Sequence, residues 1–140
     1  MEAKLIKVIV KKPYQPLEIQ EIKDDFSEFR KIVGCNTVEF CTFPLDNKIQ
    51  MLIDEDGKYF QWAGNFMVPE FRDCIVGTCI FASYDEDGEV IGLTDKQIKK
   101  VSKYLKDFEL HNGEDIYLQC DELLDKAIKK MLKNQEEDLC

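Results

Sequence analysis

The chain has 140 residues, 44% hydrophobic and 34% charged, a balance that suits one globular domain with its own core and excludes an intrinsically disordered chain. Its net charge of −9 argues against direct nucleic-acid binding, which relies on Lys and Arg to neutralise phosphates. No apolar run approaches the roughly 20 residues of a membrane-spanning helix, so no membrane partner is expected.

Residues 5–10 read LIKVIV, broken by Lys7 and followed by KKPYQP where a small-residue cleavage site would lie, so a cytoplasmic protein is expected. Here Leu5 and Ile9 alternate with Lys7 and Lys11, while Ile6, Val8 and Val10 fill the other side. This predicts a strand apolar mainly on one face. Pro13 and Pro16 bracket a turn, and LEIQEI (17–22) returns as the second arm of a hairpin. Asp24 or Asp25 can cap a helix over FSEFRKIV, whose Phe26, Phe29, Ile32 and Val33 form one stripe, and Gly34 stops it.

NTVEFCTF (36–43) and KIQMLIDE (48–55) flank the turn residues Asp46-Asn47 and predict an antiparallel pair. Glu55-Asp56-Gly57-Lys58 is a hairpin signal leading into YFQW. Residues 63–72, with Gly64, Asn65 and Pro69, show no period and read as the longest loop, a class of segment rich in functional residues. CIVGTCIFASY (74–84) is the most hydrophobic strand and is expected at the sheet centre, with Gly77 marking a bulge or a close backbone approach. It places Cys74 and Cys79 on opposite faces. Asp87-Gly88 supplies the turn of a further hairpin.

Thr94 and Gln97 fit a capping box opening a helix with Ile98, Val101, Leu105 and Phe108 on one face. A second helix opens at Asn112 or Gly113 and carries the stripe Ile116, Cys120, Leu123, Leu124, Ala127, Ile128 and Met131. That stripe is wide, so the helix either packs across the sheet or pairs with a second copy, which leaves a homodimer open. The expected fold class is α+β: a mostly antiparallel sheet of about five to seven strands, one early helix and a C-terminal helical pair. Residues 1–140 read as a single domain, with a core over 1–107 and a C-terminal helix extension over 112–135.

The six cysteines contain no Cys-x-x-Cys pair and His111 is the lone histidine, so neither a metal site nor a cofactor is expected. Disulfides are not expected without an export signal. Placing Gly88 at the invariant glycine of a calcium loop puts Ser83 at the first position and Thr94 at the twelfth, where the site needs an acidic ligand and a bidentate Glu. No catalytic set stands out: a thiol paired with His111 has no support from spacing, and the glycines form no phosphate loop.

Charge is uneven. Residues 35–92 carry three Lys/Arg against eleven Asp/Glu, net −8, whereas 1–34 are net +1 and 93–140 net −2. Asp54, Glu55, Asp56, Asp85, Glu86 and Asp87 are the candidate acidic surface. Trp62, Asn65, Phe66 and Asp73, in and beside the aperiodic segment, are the candidate ligand or partner residues, with Asn65 offering a donor and an acceptor.

The order IKVIVKKPYQPLEIQEI, a helix ending KIVGC, IDEDGK, Asn65, DCIVGTCIF and DEDGEVIGLTDKQI resembles an uncharacterised domain family carried on bacteriophages and mobile elements of Gram-positive bacteria. The shared pattern falls on Val33-Gly34, Asp54 to Gly57, Asn65, Asp73 to Thr78 and Gly88 to Thr94, within residues 4–107. Cys35 stands where that pattern has a second glycine. The resemblance implies a bacterial cytoplasm and a phage or mobile-element gene. Together these features predict a small, acidic, non-enzymatic interaction protein that binds a basic host protein through its central carboxylates. The alternative is a small-molecule binding or sequestering protein using the 59–73 loop.

Overall fold

Alternation along residues 5–11 builds the first strand, and both of its faces are covered. In the computed structural model, which describes residues 4–60, 63–111 and 116–139, strand β1 (Leu5–Lys11) pairs antiparallel with β2 (Glu18–Lys23), with Leu5 opposite Lys23 and Val10 opposite Glu18. Helix α1 (Phe26–Val33) follows. Asp25 Oδ1 accepts from the Glu28 amide at 2.7 Å, and Gly34 closes the helix at φ +80°. Strands β3 (Val38–Thr42) and β4 (Ile49–Asp54) form the expected antiparallel pair.

The aperiodic stretch holds structure after all. Residues 64–68 are strand β5 (Gly64–Val68), every residue of it buried, followed by a single 3-10 turn (Pro69–Phe71) and then β6 (Asp73–Val76). It lacks a period-two signal because it is covered on both sides, and burial on both faces removes alternation. The apolar run 74–84 is likewise two strands. Gly77, at φ +73°, ends β6, and β7 (Cys79–Tyr84) starts in a different sheet. Cys74 and Cys79 therefore sit on separate strands and not on two faces of one. The expected hairpin after Glu55–Lys58 is not seen at Tyr59 and Phe60, which continue the turn with Phe60 N donating to Asp56 O at 3.0 Å, and the rest of YFQW lies outside the described residues; β4 is already paired with β3 and β7.

The main sheet has the order β2-β1-β7-β4-β3, and the short β8 (Val90–Ile91) pairs with the end of β7 through the Asp85–Glu89 turn. A separate two-stranded sheet pairs β5 with β6. Helix α2 (Asp95–Phe108) opens on the expected box: Gln97 N donates to Thr94 Oγ1 at 3.1 Å and Thr94 N to Gln97 Oε1 at 2.9 Å. Helix α3 (Ile116–Leu139) follows; the expected start at Asn112 or Gly113 lies outside the described residues. No helix is long and apolar enough among the described residues to cross a membrane.

These elements make three layers. On one face of the sheet Val8, Val10, Leu52, Ile80 and Ala82 pack under Phe29 and Val33 of α1. On the other, Ile9, Met51 and Phe81 pack under the β5–β6 hairpin, under Val101, Tyr104, Leu105 and Phe108 of α2, and under Leu123 and Ala127 of α3. The wide stripe of α3 is thus spent at least in part within the chain. Asp107 ties the two helices, accepting from Asn134 at 3.1 Å and pairing with Lys130 at 3.4 Å.

Candidate functional site

The ends of the sheet decide where charge can gather. In the β4–β7 pairing Ile49 lies opposite Ser83 and Leu52 opposite Ile80, so Asp54 and Tyr84 point to opposite ends. The expected acidic surface is consequently two clusters, separated by the length of β4, roughly 17–20 Å for six residues. One end holds Asp54, Glu55 and Asp56; the other holds Asp85, Glu86 and Asp87, with Asp46 nearby in the β3–β4 turn.

The two clusters differ in what surrounds them. At the far end Asp85 Oδ1 accepts the amides of Asp87 and Glu89, and Asp46 pairs with Lys100 at 3.2 Å. Asp46 is held below the usual carboxylate range: burial opposes this, but the Lys48 amide and Lys100 outweigh it. At the near end Asp54 is itself buried, accepting the Asp56 amide at 2.9 Å, so Glu55 and Asp56 are its exposed carboxylates. Asp73 is exposed beside them and pairs with Lys58.

Aromatic rings crowd that near end. Tyr59 is 83% exposed, Phe60 55% and Phe71 49%, and the Tyr59 and Phe60 rings meet edge to face at 5.3 Å. Beneath Phe71 a cavity of about 240 Å³ opens between β3–β4 and β6, lined by Glu39, Cys41, Ile53, Lys58 and Asp73 among others. Burial pushes the Cys41 thiol up to about 11, helped by the neighbouring charges of Glu39 and Asp73. On the α1 side an open groove of about 540 Å³ runs between Arg30, Lys31 and Asn36 and the pair Asp56 and Phe60.

Two of the four sequence candidates are interior. Phe66 is fully buried and stacks on Phe81 at 5.6 Å. Asn65 is fully buried and donates to the carbonyls of Lys11 at 2.7 Å and Gly77 at 2.8 Å, which makes it a stitch between the two sheets. Asp73 is at the surface, and Trp62 lies outside the described residues. Phe71 falls in the aperiodic segment that the sequence marks as a candidate surface, whereas Tyr59 and Phe60 read there as the start of a strand after the Glu55–Lys58 turn, a pattern equally suited to core. Among the described residues no three His, Cys, Asp or Glu side chains are grouped to hold a metal ion.

A family profile matches residues 6–109, from β1 to the C-cap of α2. The chain belongs to the family described as Domain of unknown function (DUF3846). The DUF3846 match takes in both sheets, α1, α2 and the whole acidic-aromatic end, and leaves α3 outside. No curated protein and no solved structure matches the chain.

Proposed function

We propose that this DUF3846 protein is a non-enzymatic interaction protein that docks a basic partner protein at the near end of its sheet. The observation that carries the reading is the exposure of Tyr59, Phe60 and Phe71 beside Glu55, Asp56 and Asp73. Large exposed rings rimmed by charge are the usual anatomy of a protein-binding patch, with aromatics anchoring and carboxylates steering. At the Asp85–Asp87 end the neighbouring ring, Tyr84, is half-buried, so that end serves solubility and long-range attraction. The phage or mobile-element setting implied by the resemblance makes a host protein of a Gram-positive cytoplasm the natural partner.

A second reading, a small-molecule binder, draws on the 540 Å³ groove beside Phe60. One experiment addresses both. The full chain is immobilised and exposed to Gram-positive lysate at low and high salt, beside the variants E55Q/D56N, E86Q/D87N and Tyr59→Ala/Phe60→Ala. The docking reading expects a protein retained at low salt and lost at high salt. It also expects loss with E55Q/D56N and with the ring variant, but not with E86Q/D87N. Retention of a metabolite without any protein moves the function to the groove.

A further inference from the structure

We propose that the outer edge of β3 is a strand-addition site for an extended, basic segment of the partner protein, an inference that rests on the docking reading above. β3 is the outermost strand of the main sheet and pairs only with β4 among the described residues. The direction of its backbone groups follows from the ladder. Glu55 N donates to Thr37 O at 3.1 Å and Phe43 N to Ile49 O at 2.9 Å, and both pairs continue the register that sets Val38 opposite Asp54. Hydrogen-bonded pairs recur every second residue, so Glu39 and Cys41 face β4 and the N–H and C=O groups of Val38, Phe40 and Thr42 turn outward.

Sheet edges are ordinarily guarded by charge, proline or bulges. β2, at the opposite edge, carries Glu18, Glu21 and Lys23. β3 reads VEFCT, with one charge, no proline and an unbroken register. Its side chains prepare both faces for a neighbour. On the α1 face the exposed rings of Phe26 and Phe40 meet at 6.0 Å. On the other face Glu39 and Cys41 line the 240 Å³ cavity, together with Glu55, Asp73 and Phe71.

A strand laid along β3 would place alternate side chains over the two rings and over this cavity. Among the described residues the cavity's one lining cation, Lys58, is already paired with Asp73, so the carboxylates call for Lys or Arg from the incoming strand. A second copy would bring the same carboxylates and repel.

The test starts from a displayed library of seven-residue segments with Lys at alternate positions and the rest randomised, selected against the full chain. Hydrogen exchange by NMR then follows the amides of Val38, Phe40 and Thr42. Protection gained at these three on peptide binding is expected. Phe40→Pro, which removes an outward N–H, should weaken binding about tenfold more than Phe40→Ala, which removes only the ring. Exchange on the unsubstituted chain decides the matter should the proline variant not fold. Protection confined to residues 59–71 overturns strand addition and leaves the docking reading intact. No selected binder, while lysate still yields a salt-sensitive partner, overturns strand addition alone; failure of both overturns both. Concentration-dependent protection of β3 without peptide assigns the edge to a second copy and overturns the proposal.

Discussion

Asn65 Nδ2 donates to the Lys11 carbonyl at 2.7 Å across 54 residues of sequence, binding the β5–β6 hairpin to the end of β1. Its second hydrogen goes to Gly77 O at 2.8 Å, where the chain passes from one sheet to the other. Two carbonyls fix the orientation of the amide, and its Oδ1 is buried with no partner among the described residues. Asn65→Ala would strand both carbonyls in the interior, at a cost of about 2–4 kcal/mol. Asn65→Asp should cost more, because an ionised carboxylate cannot donate to them. Urea unfolding of the two variants measures this; an alanine variant as stable as the parent would refute the stitch.

Lys11 shows a second consequence of that junction. Its side chain is 1% exposed, with Nζ donating to Lys12 O at 2.9 Å and lying 3.7 Å from Glu109 Oε2. Burial lowers the amine from the usual lysine range, and Glu109 only partly offsets this. In the window between the lowered value and the ordinary one, the unfolded chain holds a proton that the folded chain does not. Stability from this group therefore rises with pH through that window and is reduced below it. Lys11→Met should remove that rise. The test is the difference between parent and variant in urea unfolding from neutral to alkaline pH; a difference independent of pH would contradict the assignment.

Much of this architecture is legible in the sequence because local chemistry and burial agree. Asp25 and Gly34 bracket α1, Thr94 and Gln97 open α2, and Asp87-Gly88 turns β7 into β8. The reading fails where burial is two-sided or switches sheet. β5 has no alternation to detect, and Gly77 divides a continuous apolar run. Lys11 is the sharpest case: a lysine in an alternating strand signals solvent, whereas in the fold its amine is buried with the Lys12 carbonyl and Glu109 as partners. At the candidate site the carboxylates were legible as composition, but their division between sheet ends is set by strand register.

Cys41 offers a chemical probe of the near-end cavity. With its thiol pushed up to about 11, first by burial and then by Glu39, it should react slowly with iodoacetamide at neutral pH. Cys79, fully buried, should be slower still. Glu39→Gln removes a negative neighbour and offers the thiolate an amide donor in place of a carboxylate acceptor, so the alkylation midpoint should move to lower pH. Peptide mapping by mass spectrometry reads each thiol separately. An unchanged midpoint in Glu39→Gln would show that Glu39 takes no part in the shift.

Gly34 and Gly92 separate two reasons for a glycine. Gly34 has φ +80° and open space where a Cβ would stand, so only backbone strain opposes a side chain. Gly34→Ala should cost about 1 kcal/mol, and Gly34→Asn less, because Asn tolerates the left-handed region. A Cβ on Gly92 would lie 2.9 Å from the backbone nitrogen of Lys7. Lys7 cannot withdraw, since it sits in mid-strand opposite Glu21 and its carbonyl accepts the Leu93 amide at 2.8 Å. Gly92→Ala must therefore separate β1 from the segment that leads into α2, at about 1–3 kcal/mol, and Asn should be worse than Ala there. Opposite rankings of Ala and Asn at the two positions, read from thermal or urea unfolding, are the expected signature. The same ranking at both would mean that the Lys7 contact yields.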